Sequence, residues 1–210
     1  MSAIYLVTDA SLCDQAGHTL EFVVEAALQA GVRWIQLREK EETTRNFVRK
    51  AQQIQQLTQA YGAKLIINDR IDVALAIDAD GVHVGQSDMP YALARRLVGP
   101  DKIVGLSVTN LAEWEEAEAW DVDYFGAGPI FHTDTKRDIT PPMGLEGLRH
   151  MRQHSQHPIF AIGGIHEHNL DALMQTGIAG VAVVSAICSA TDPATAARRL
   201  LHLTQHVQSS

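Results

Sequence analysis

The sequence lacks several features that would each assign it to a class of protein. Two cysteines are too few for a disulfide framework, and no apolar stretch is long enough to cross a bilayer. The first residues, Met1 to Tyr5, have no basic segment followed by an apolar core, so a secretory signal is not expected. With a net charge of −8, the chain has no lysine and arginine run typical of nucleic-acid or membrane binders. We therefore expect a cytoplasmic protein that binds neither nucleic acid nor membrane.

The chain also lacks a linker, a low-complexity tract and a convincing internal repeat. Its 210 residues, 46% hydrophobic and 20% charged, fit one globular domain with a full core. We expect a single domain over residues 1–210. An acidic chain can still bind an anion where a few cations converge, and Arg38, Lys40 and Lys136 are the candidates because each lies at or beyond a predicted strand end.

Short β-branched runs alternate with amphipathic helical patterns along the whole chain. We predict eight strands, at Ile4–Thr8, Trp34–Leu37, Leu65–Asn68, Gly81–Val84, Ile103–Leu106, Tyr124–Ala127, Ile159–Ile162 and Val181–Val184. Eight strand–helix units predict an α/β fold, a single compact (β/α)8 TIM barrel. The main alternative is an open doubly wound sheet, which needs a glycine-rich phosphate turn after the first strand. The turn here, Asp9 to Cys13, contains no glycine.

Polar residues alternate with apolar ones at the end of the second predicted strand. Side chains alternate across a strand, so Gln36, Arg38 and Lys40 share one face, while Ile35 and Leu37 share the other. The apolar pair can pack against outer helices, which places the polar trio at the barrel mouth. A solvated strand exit with scattered charge is the alternative. Cations at the catalytic rim of a barrel favour the functional interpretation.

Two aspartates follow neighbouring predicted strands. Asn68 and Asp69 end the third strand, and Asp88 lies just past the fourth. Adjacent strand ends bring such carboxylates together, and oxygen ligands of this kind suit Mg²⁺. Either aspartate could instead cap the helix that follows it, and taken alone Asp88 fits both roles. Their place opposite Arg38 and Lys40 favours the metal interpretation.

The segment 131–143 is long for a loop between a strand and a helix, and it is rich in Thr, Asp and Pro. Loops of this kind at a barrel rim often serve as lids. Thr133 and Thr135 offer hydroxyl groups and Lys136 offers a point charge for phosphate. A solvated loop with incidental threonines is the alternative.

The last two strands end in small residues. Gly163 and Gly164 follow strand seven, and Val184 and Ser185 follow strand eight. These loops commonly hold phosphate in this barrel, through backbone N–H groups and the start of a short helix. The alternatives are a tight turn for the glycines and a helix cap for Ser185.

Three other residues are interpreted structurally from their sequence setting. Ser107 is interpreted as a turn or cap residue, since no histidine–acid pair marks it as a nucleophile. His83 alternates with valines, which indicates a packed or hydrogen-bonded barrel histidine. Cys188 is expected to be buried and inert.

Taken together, these segments resemble the thiamine phosphate synthase family. The matching pieces are Tyr5–Asp9, Gln36–Lys40, Asn68–Arg70, Gly81–Gln86, Gly126–Phe131, Thr133–Lys136, Ile162–Ile165 and Val183–Ser185. They follow the family order over nearly the whole chain. The resemblance implies a transferase that joins 4-amino-2-methyl-5-hydroxymethylpyrimidine diphosphate to 4-methyl-5-(2-hydroxyethyl)thiazole phosphate. The products are thiamine phosphate and pyrophosphate.

The resemblance also implies Mg²⁺ as cofactor, two small phosphorylated substrates as partners, and bond breaking ahead of attack. It leaves the oligomeric state open. The implied pyrimidine diphosphate contacts are Gln36, Arg38, Lys40, Asn68, Ser107 and Lys136. Those with an implied catalytic role are Lys136, Arg38, Lys40 and Ser107. The implied thiazole phosphate contacts are Thr133, Thr135, Gly164, Val184 and Ser185. The implied metal ligands are Asp69 and Asp88.

One residue departs from the family pattern: His132 stands where the family often has proline. The nearest alternative function is the related thiazole tautomerase, which looks to carry a histidine where this chain has Gly128 and Pro129. A phosphosugar isomerase or aldolase would leave the pair of aspartates unexplained. A non-catalytic phosphate-ligand-binding barrel could lose the metal ligands and Lys136, all of which are present.

Overall fold

Eight short parallel strands close into a barrel in sequence order in the computed structural model, which describes residues 3–133 and 141–207. The strands are β1 Ile4–Val7, β2 Trp34–Leu37, β3 Lys64–Asn68, β4 Gly81–Val84, β5 Ile103–Val108, β6 Tyr124–Ala127, β7 Ile159–Ile162 and β8 Gly180–Val183. Pairing of β1 with β8, in which Ile4 lies opposite Val181, completes the barrel. The predicted (β/α)8 fold is confirmed.

Four predicted strands have the observed bounds, and the others shift by one or two residues. The prediction extended β1 to Thr8, whose N–H does continue the ladder to the Gln36 carbonyl at 2.9 Å. The prediction for β5 stopped at Leu106, two residues short of its observed end at Val108. The longer β5 matters because it turns Ser107 from a loop residue into a strand residue. The interpretation of Ser107 as a turn or cap residue is therefore wrong.

Helices surround the strands. They are α1 Ala10–Gln15, α2 Leu20–Ala30, α3 Thr44–Ala60, α4 Ile71–Ile77, α5 Tyr91–Val98, α6 Leu111–Ala117, α7 Gly144–His154, α8 Glu167–Met174, α9 Ser185–Cys188 and α10 Pro193–Val207. Side chains cap several of them: Thr19, Thr43 and Asn110 each accept a backbone N–H of the first turn. Among the described residues, no helix is both long and apolar enough to cross a membrane.

The strands separate two hydrophobic layers. One layer fills the space between barrel and helices and includes Ile35 and Leu37. The other fills the barrel interior and consists mainly of Tyr5, Val7, Ile66, Tyr124, Phe160 and Ala182. Because Ile35 and Leu37 face the helices, Gln36 between them faces the interior, as the alternation of β2 predicted.

Gly105 gives the first testable prediction, because it makes room for an aromatic ring in the interior layer. A Cβ atom at this position would lie 2.1 Å from Cζ of Tyr124. We expect Gly105→Ala to lower the free energy of unfolding by about 1–3 kcal/mol through overpacking. Denaturant unfolding measures the change. Gly147→Ala on α7 is the comparison, because its Cβ atom would lie 2.5 Å from Cγ of Met143, a half-buried side chain that can rotate, rather than against a fully buried ring. Equal unfolding free energies for Gly105→Ala and wild type, within about 0.5 kcal/mol, would contradict this packing.

Candidate active site

The end of β2 projects three polar side chains at increasing height above the interior. Gln36 is buried, and its amide donates to the Tyr5 hydroxyl at 2.9 Å. Arg38 is half-buried, and its backbone N–H donates to the Thr8 hydroxyl at 3.1 Å. Among the described residues its guanidinium has no hydrogen bond or ion pair. Lys40 is half exposed, and its ammonium pairs with the carboxylate of Asp69. At the rim, Lys40 is thus paired with Asp69, whereas the guanidinium of Arg38 has no partner within residues 3–133 and 141–207.

Asp69 lies directly beyond β3 in a left-handed backbone conformation, with φ of 61°. Its N–H donates to the His83 carbonyl at 2.8 Å, which continues the β3–β4 pairing past the strand end. Helix α4 begins after Arg70 without a side-chain cap. The alternative role of Asp69 as a helix cap is therefore wrong. A left-handed backbone conformation is uncommon for residues other than glycine. The Asp69 carboxylate pairs with Lys40 rather than with the start of α4.

Asp88 reaches back toward the end of β4. Its Oδ2 accepts the backbone N–H of Gly85 at 2.8 Å. A Cβ atom on Gly85 would lie 2.9 Å from that oxygen, so glycine permits the close approach. Helix α5 is preceded by Pro90 and has no side-chain cap. The interpretation of Asp88 as a helix cap is therefore wrong as well. Neither Asp69 nor Asp88, the two predicted metal ligands, caps the helix that follows it.

The carboxyl groups of Asp69 and Asp88 lie close enough for each to shift the pKa of the other. Burial raises the pKa of Asp69; the bond from Lys40 opposes that rise, and the contact with Asp88 adds to it. Burial also acts upward on Asp88, but its bonds to Asp69 and to the Gly85 N–H bring its pKa below the usual value. The pKa values of the two carboxyl groups are therefore shifted in opposite directions, as expected for two acidic groups that interact closely.

A divalent cation bound by both carboxylates would offset the repulsion between them. Mg²⁺ is commonly held by one or two carboxylates together with substrate phosphates and water. The described residues contain no group of three or more His, Cys, Asp and Glu that could hold a metal by themselves. The neighbouring Asn68 is buried at the end of β3 and supplies a further amide oxygen. This donor set fits Mg²⁺ that is completed by a phosphorylated ligand.

Sequence reasoning missed the contact that fixes Ser107. Its hydroxyl oxygen lies 2.7 Å from Nε2 of His83, whose Nδ1 lies 2.9 Å from the Tyr124 hydroxyl. The expectation that His83 is a hydrogen-bonded barrel histidine is confirmed, and one of its partners is Ser107, the serine interpreted from sequence as a turn or cap residue. Gln86 also donates to the Ser107 carbonyl at 2.8 Å. Glycines at positions 105 and 126 were the available signal, because a glycine inside a strand often marks close packing.

The glycines after β7 hold two loops together. Gly163 and Gly164 have φ of 100° and 64°. A Cβ atom on Gly164 would lie 2.4 Å from the carbonyl oxygen of His132, so the turn brings the loop after β6 against it. Asn169 of α8 fixes the turn by donating to the Gly164 carbonyl at 2.8 Å. The tight-turn interpretation is correct, and the turn also shapes one side of the predicted phosphate site.

Helix α9 begins directly after β8, the strand next to β7 in the barrel. Val184 is its N-cap residue and Ser185 its first residue, so the alternative of Ser185 as the cap is wrong. Thr133 ends the first described range and is half-buried. Thr135 and Lys136, predicted on the lid, lie outside the described residues.

Comparison with known proteins points to one activity. The model of the thiamine monophosphate synthase family matches residues 4–187. The chain is 50% identical over 205 residues to thiamine-phosphate synthase of Chloroflexus aurantiacus, covering 98% of this chain and 94% of that one. It is 48% identical over 201 residues to the Vibrio parahaemolyticus enzyme of the same name, covering 95% and 97%. The solved thiamine phosphate pyrophosphorylase from Pyrococcus furiosus is 38% identical, with a TM-score of 0.89 over 98% of this chain and 96% of that one.

Proposed function

The chain belongs to the thiamine monophosphate synthase family and is a transferase that forms thiamine phosphate, and we propose which parts of the barrel rim bind each of its two substrates. The ends of β2, β3 and β4 bind the pyrimidine diphosphate together with Mg²⁺. The loops after β7 and β8 bind the thiazole phosphate. The observation that carries this division is the ion pair of Asp69 with Lys40, beside the interacting carboxyl group of Asp88.

Departure of pyrophosphate requires its growing negative charge to be neutralised. Bound Mg²⁺ would supply that neutralisation on the diphosphate oxygens. Arg38 is suited to bind the same group, because its guanidinium has no partner among the described residues and its planar fork matches phosphate. Lys40 would exchange its bond to Asp69 for a phosphate oxygen, and we assign Lys136 of the loop after β6 the same role. Asn68 lies beside these cations at the end of β3.

The aromatic side chains of the barrel interior, Tyr5, Trp34 and Phe160, form the floor of the site. This floor is suited to a reaction in which the carbon–oxygen bond breaks before the new carbon–nitrogen bond forms. Tyr5 packs edge-on against Trp34 and Phe160, with ring centroids 5.5 Å apart in both pairs. Such a floor keeps water away from an electron-poor pyrimidine carbon. The thiazole nitrogen then attacks that carbon, and the residues of the chain act by orienting the two substrates.

We place the thiazole phosphate between the Gly164 turn and the start of α9. Val184 and Ser185 lie at the first turn of α9, where backbone N–H groups are not used within the helix. Thr133 approaches from the loop after β6, which packs on Gly164. Thr135, farther along that loop, would add a second hydroxyl. The two phosphate-bearing groups thus enter from opposite sides of the mouth.

Ser185 gives a prediction for this second subsite. Ser185→Asp is expected to raise KM for the thiazole phosphate about tenfold or more, because a carboxylate there repels the phosphate. KM for the pyrimidine diphosphate should stay near its wild-type value. Ser189→Asp is the control, since it adds the same charge at the exposed end of α9. An unaltered thiazole KM in Ser185→Asp would rule the subsite out.

The assignment of substrates is tested by one assay on the purified protein. The chain is mixed with both phosphorylated precursors and Mg²⁺, and the release of pyrophosphate and of thiamine phosphate is followed together. We expect the two products in equal amounts, and none when either precursor is omitted. Pyrophosphate without thiamine phosphate, or neither product, would contradict the assignment.

A cytoplasmic location belongs to the same proposal. Cys13 of α1 and Cys188 of α9 are both buried and both free thiols, which confirms the expected burial of Cys188. Thiols persist in a reducing compartment such as the cytoplasm.

We further propose that the chain forms a single domain over residues 1–210.

A further inference from the structure

A continuous chain of hydrogen bonds crosses the barrel interior just below the rim. It runs from the Gln36 amide to Tyr5 at 2.9 Å and from Tyr5 to Tyr124 at 2.9 Å. It continues from Tyr124 to Nδ1 of His83 at 2.9 Å and from Nε2 of His83 to Ser107 at 2.7 Å. The five side chains come from five different strands, and all except Ser107 are buried. Two predicted substrate contacts, Gln36 and Ser107, are thereby connected.

The direction of the chain follows from its first member. The Gln36 Nε2 group can only donate, so Tyr5 accepts from it and gives its own hydrogen to Tyr124. Tyr124 in turn gives its hydrogen to Nδ1 of His83, so the ring nitrogen that carries hydrogen is Nε2, facing Ser107. Running the hydrogen-bond chain the other way would leave the buried Tyr5 hydroxyl hydrogen with no acceptor among its members, and a buried donor without an acceptor is unfavourable.

The positions of the two central rings are set by packing. The rings of His83 and Tyr124 stack, with centroids 5.5 Å apart and an interplanar angle of 25°. A Cβ atom on Gly126 would lie 3.0 Å from Cε1 of His83, and one on Gly105 would lie 2.4 Å from the Tyr124 hydroxyl. Both glycines therefore make space for the hydrogen-bond chain, which has little freedom to rearrange.

We propose that Tyr124 is a positioning residue for the reaction. It holds His83 as the tautomer with hydrogen on Nε2, so that Ser107 accepts from His83 and turns its own hydrogen toward the pyrimidine diphosphate. The identity of that acceptor rests on the proposed function, whereas the direction of the chain does not. The same direction excludes Ser107 as a nucleophile, because a base for it would need a lone pair on Nε2.

The tautomer of His83 is measurable in the folded enzyme without substrate. Proton–nitrogen correlation NMR on protein labelled with ¹⁵N-histidine, assigned by the loss of one ring in His83→Gln, distinguishes the two ring nitrogens. We expect hydrogen on Nε2 and a bare Nδ1 in the wild type. Tyr124→Phe removes the donor to Nδ1 and should yield a mixture of tautomers. Tyr5→Phe is the matched control, since Tyr124 keeps its hydrogen for Nδ1 and the His83 signals should stay as in the wild type.

Kinetics then connect the tautomer to the reaction. Tyr124→Phe should lower kcat/KM for the pyrimidine diphosphate about tenfold, the equivalent of one hydrogen bond, and leave KM for the thiazole phosphate unchanged. His83→Gln, whose amide can still donate to Ser107, should retain more activity than His83→Asn, whose shorter side chain cannot reach it.

The outcomes separate this proposal from the proposed function. Hydrogen on Nδ1 in the wild type overturns the direction of the chain, and this holds even where Tyr124→Phe does not fold. A tautomer mixture in Tyr124→Phe with wild-type kcat/KM overturns the positioning role. Absence of thiamine phosphate formation by the wild type, with hydrogen on Nε2, overturns the assignment of substrates and leaves the hydrogen-bond chain standing.

Discussion

Asp69→Asn is expected to reduce kcat/KM about a hundredfold or more, since each tenfold loss corresponds to about 1.4 kcal/mol of transition-state stabilisation. The substitution keeps the shape of the side chain but removes the charge that lies against Lys40 and Asp88. With that charge gone, the site holds a divalent cation less tightly, and the leaving diphosphate loses part of its neutralisation. The measurement is the initial rate across a Mg²⁺ titration, in which the midpoint should move to higher Mg²⁺.

Asp72→Asn is the matched control for this prediction. Asp72 lies three residues farther on, is exposed, and pairs with Arg70 rather than with a residue of the rim. Asp72→Asn makes the same change of charge as Asp69→Asn, but at the surface of α4. We therefore expect its initial rate and the midpoint of its Mg²⁺ titration to stay near the wild-type values. If Asp69→Asn behaves like Asp72→Asn, the carboxylate pair has no part in metal binding.

Arg38→Met is expected to lower kcat/KM for the pyrimidine diphosphate about a hundredfold, because charged hydrogen bonds to phosphate are among the strongest that a site can make. Its guanidinium is half-buried at the rim without a partner among the described residues. Methionine retains most of the apolar stem, so the fold should keep its stability. The measurement is the full set of kinetic constants for both substrates.

Arg49→Met supplies the comparison for that variant. Arg49 lies on the exposed side of α3, and its replacement removes the same charge from the protein as a whole. Any effect of net charge on the encounter with anionic substrates appears equally in both variants. A decrease in kcat/KM that is equal in Arg38→Met and Arg49→Met would be due to long-range electrostatics. Only the additional decrease in Arg38→Met would be due to direct contact with the substrate.

Much of this architecture was predictable from sequence because its signals are local and periodic. Alternation along β2 predicted that Gln36 faces the interior while Ile35 and Leu37 face the helices, as the structure has them. Strand endings predicted that Asp69 and Asp88 meet, because parallel strands bring their carboxyl ends to one rim.

What the sequence could not supply was which inward side chains touch each other. Tyr5 and Tyr124 lie 119 positions apart, and nothing local indicates that their hydroxyls bond. The interpretation of Ser107 as a turn residue was wrong because β5 runs two residues longer than its apolar run. The capping alternatives for the aspartates depended on backbone angles, such as the positive φ of Asp69, that composition does not determine. The roles of Thr135 and Lys136 stay predictions.

Binding of the pyrimidine diphosphate, measured by calorimetry with and without Mg²⁺, tests the central claim most directly. The claim is that Asp69 and Asp88 form one site with the diphosphate through the metal. For the wild type, Mg²⁺ should tighten binding by about tenfold or more, and for Asp69→Asn by less than about twofold. Equal tightening by Mg²⁺ in both proteins, or none in the wild type, would contradict the account.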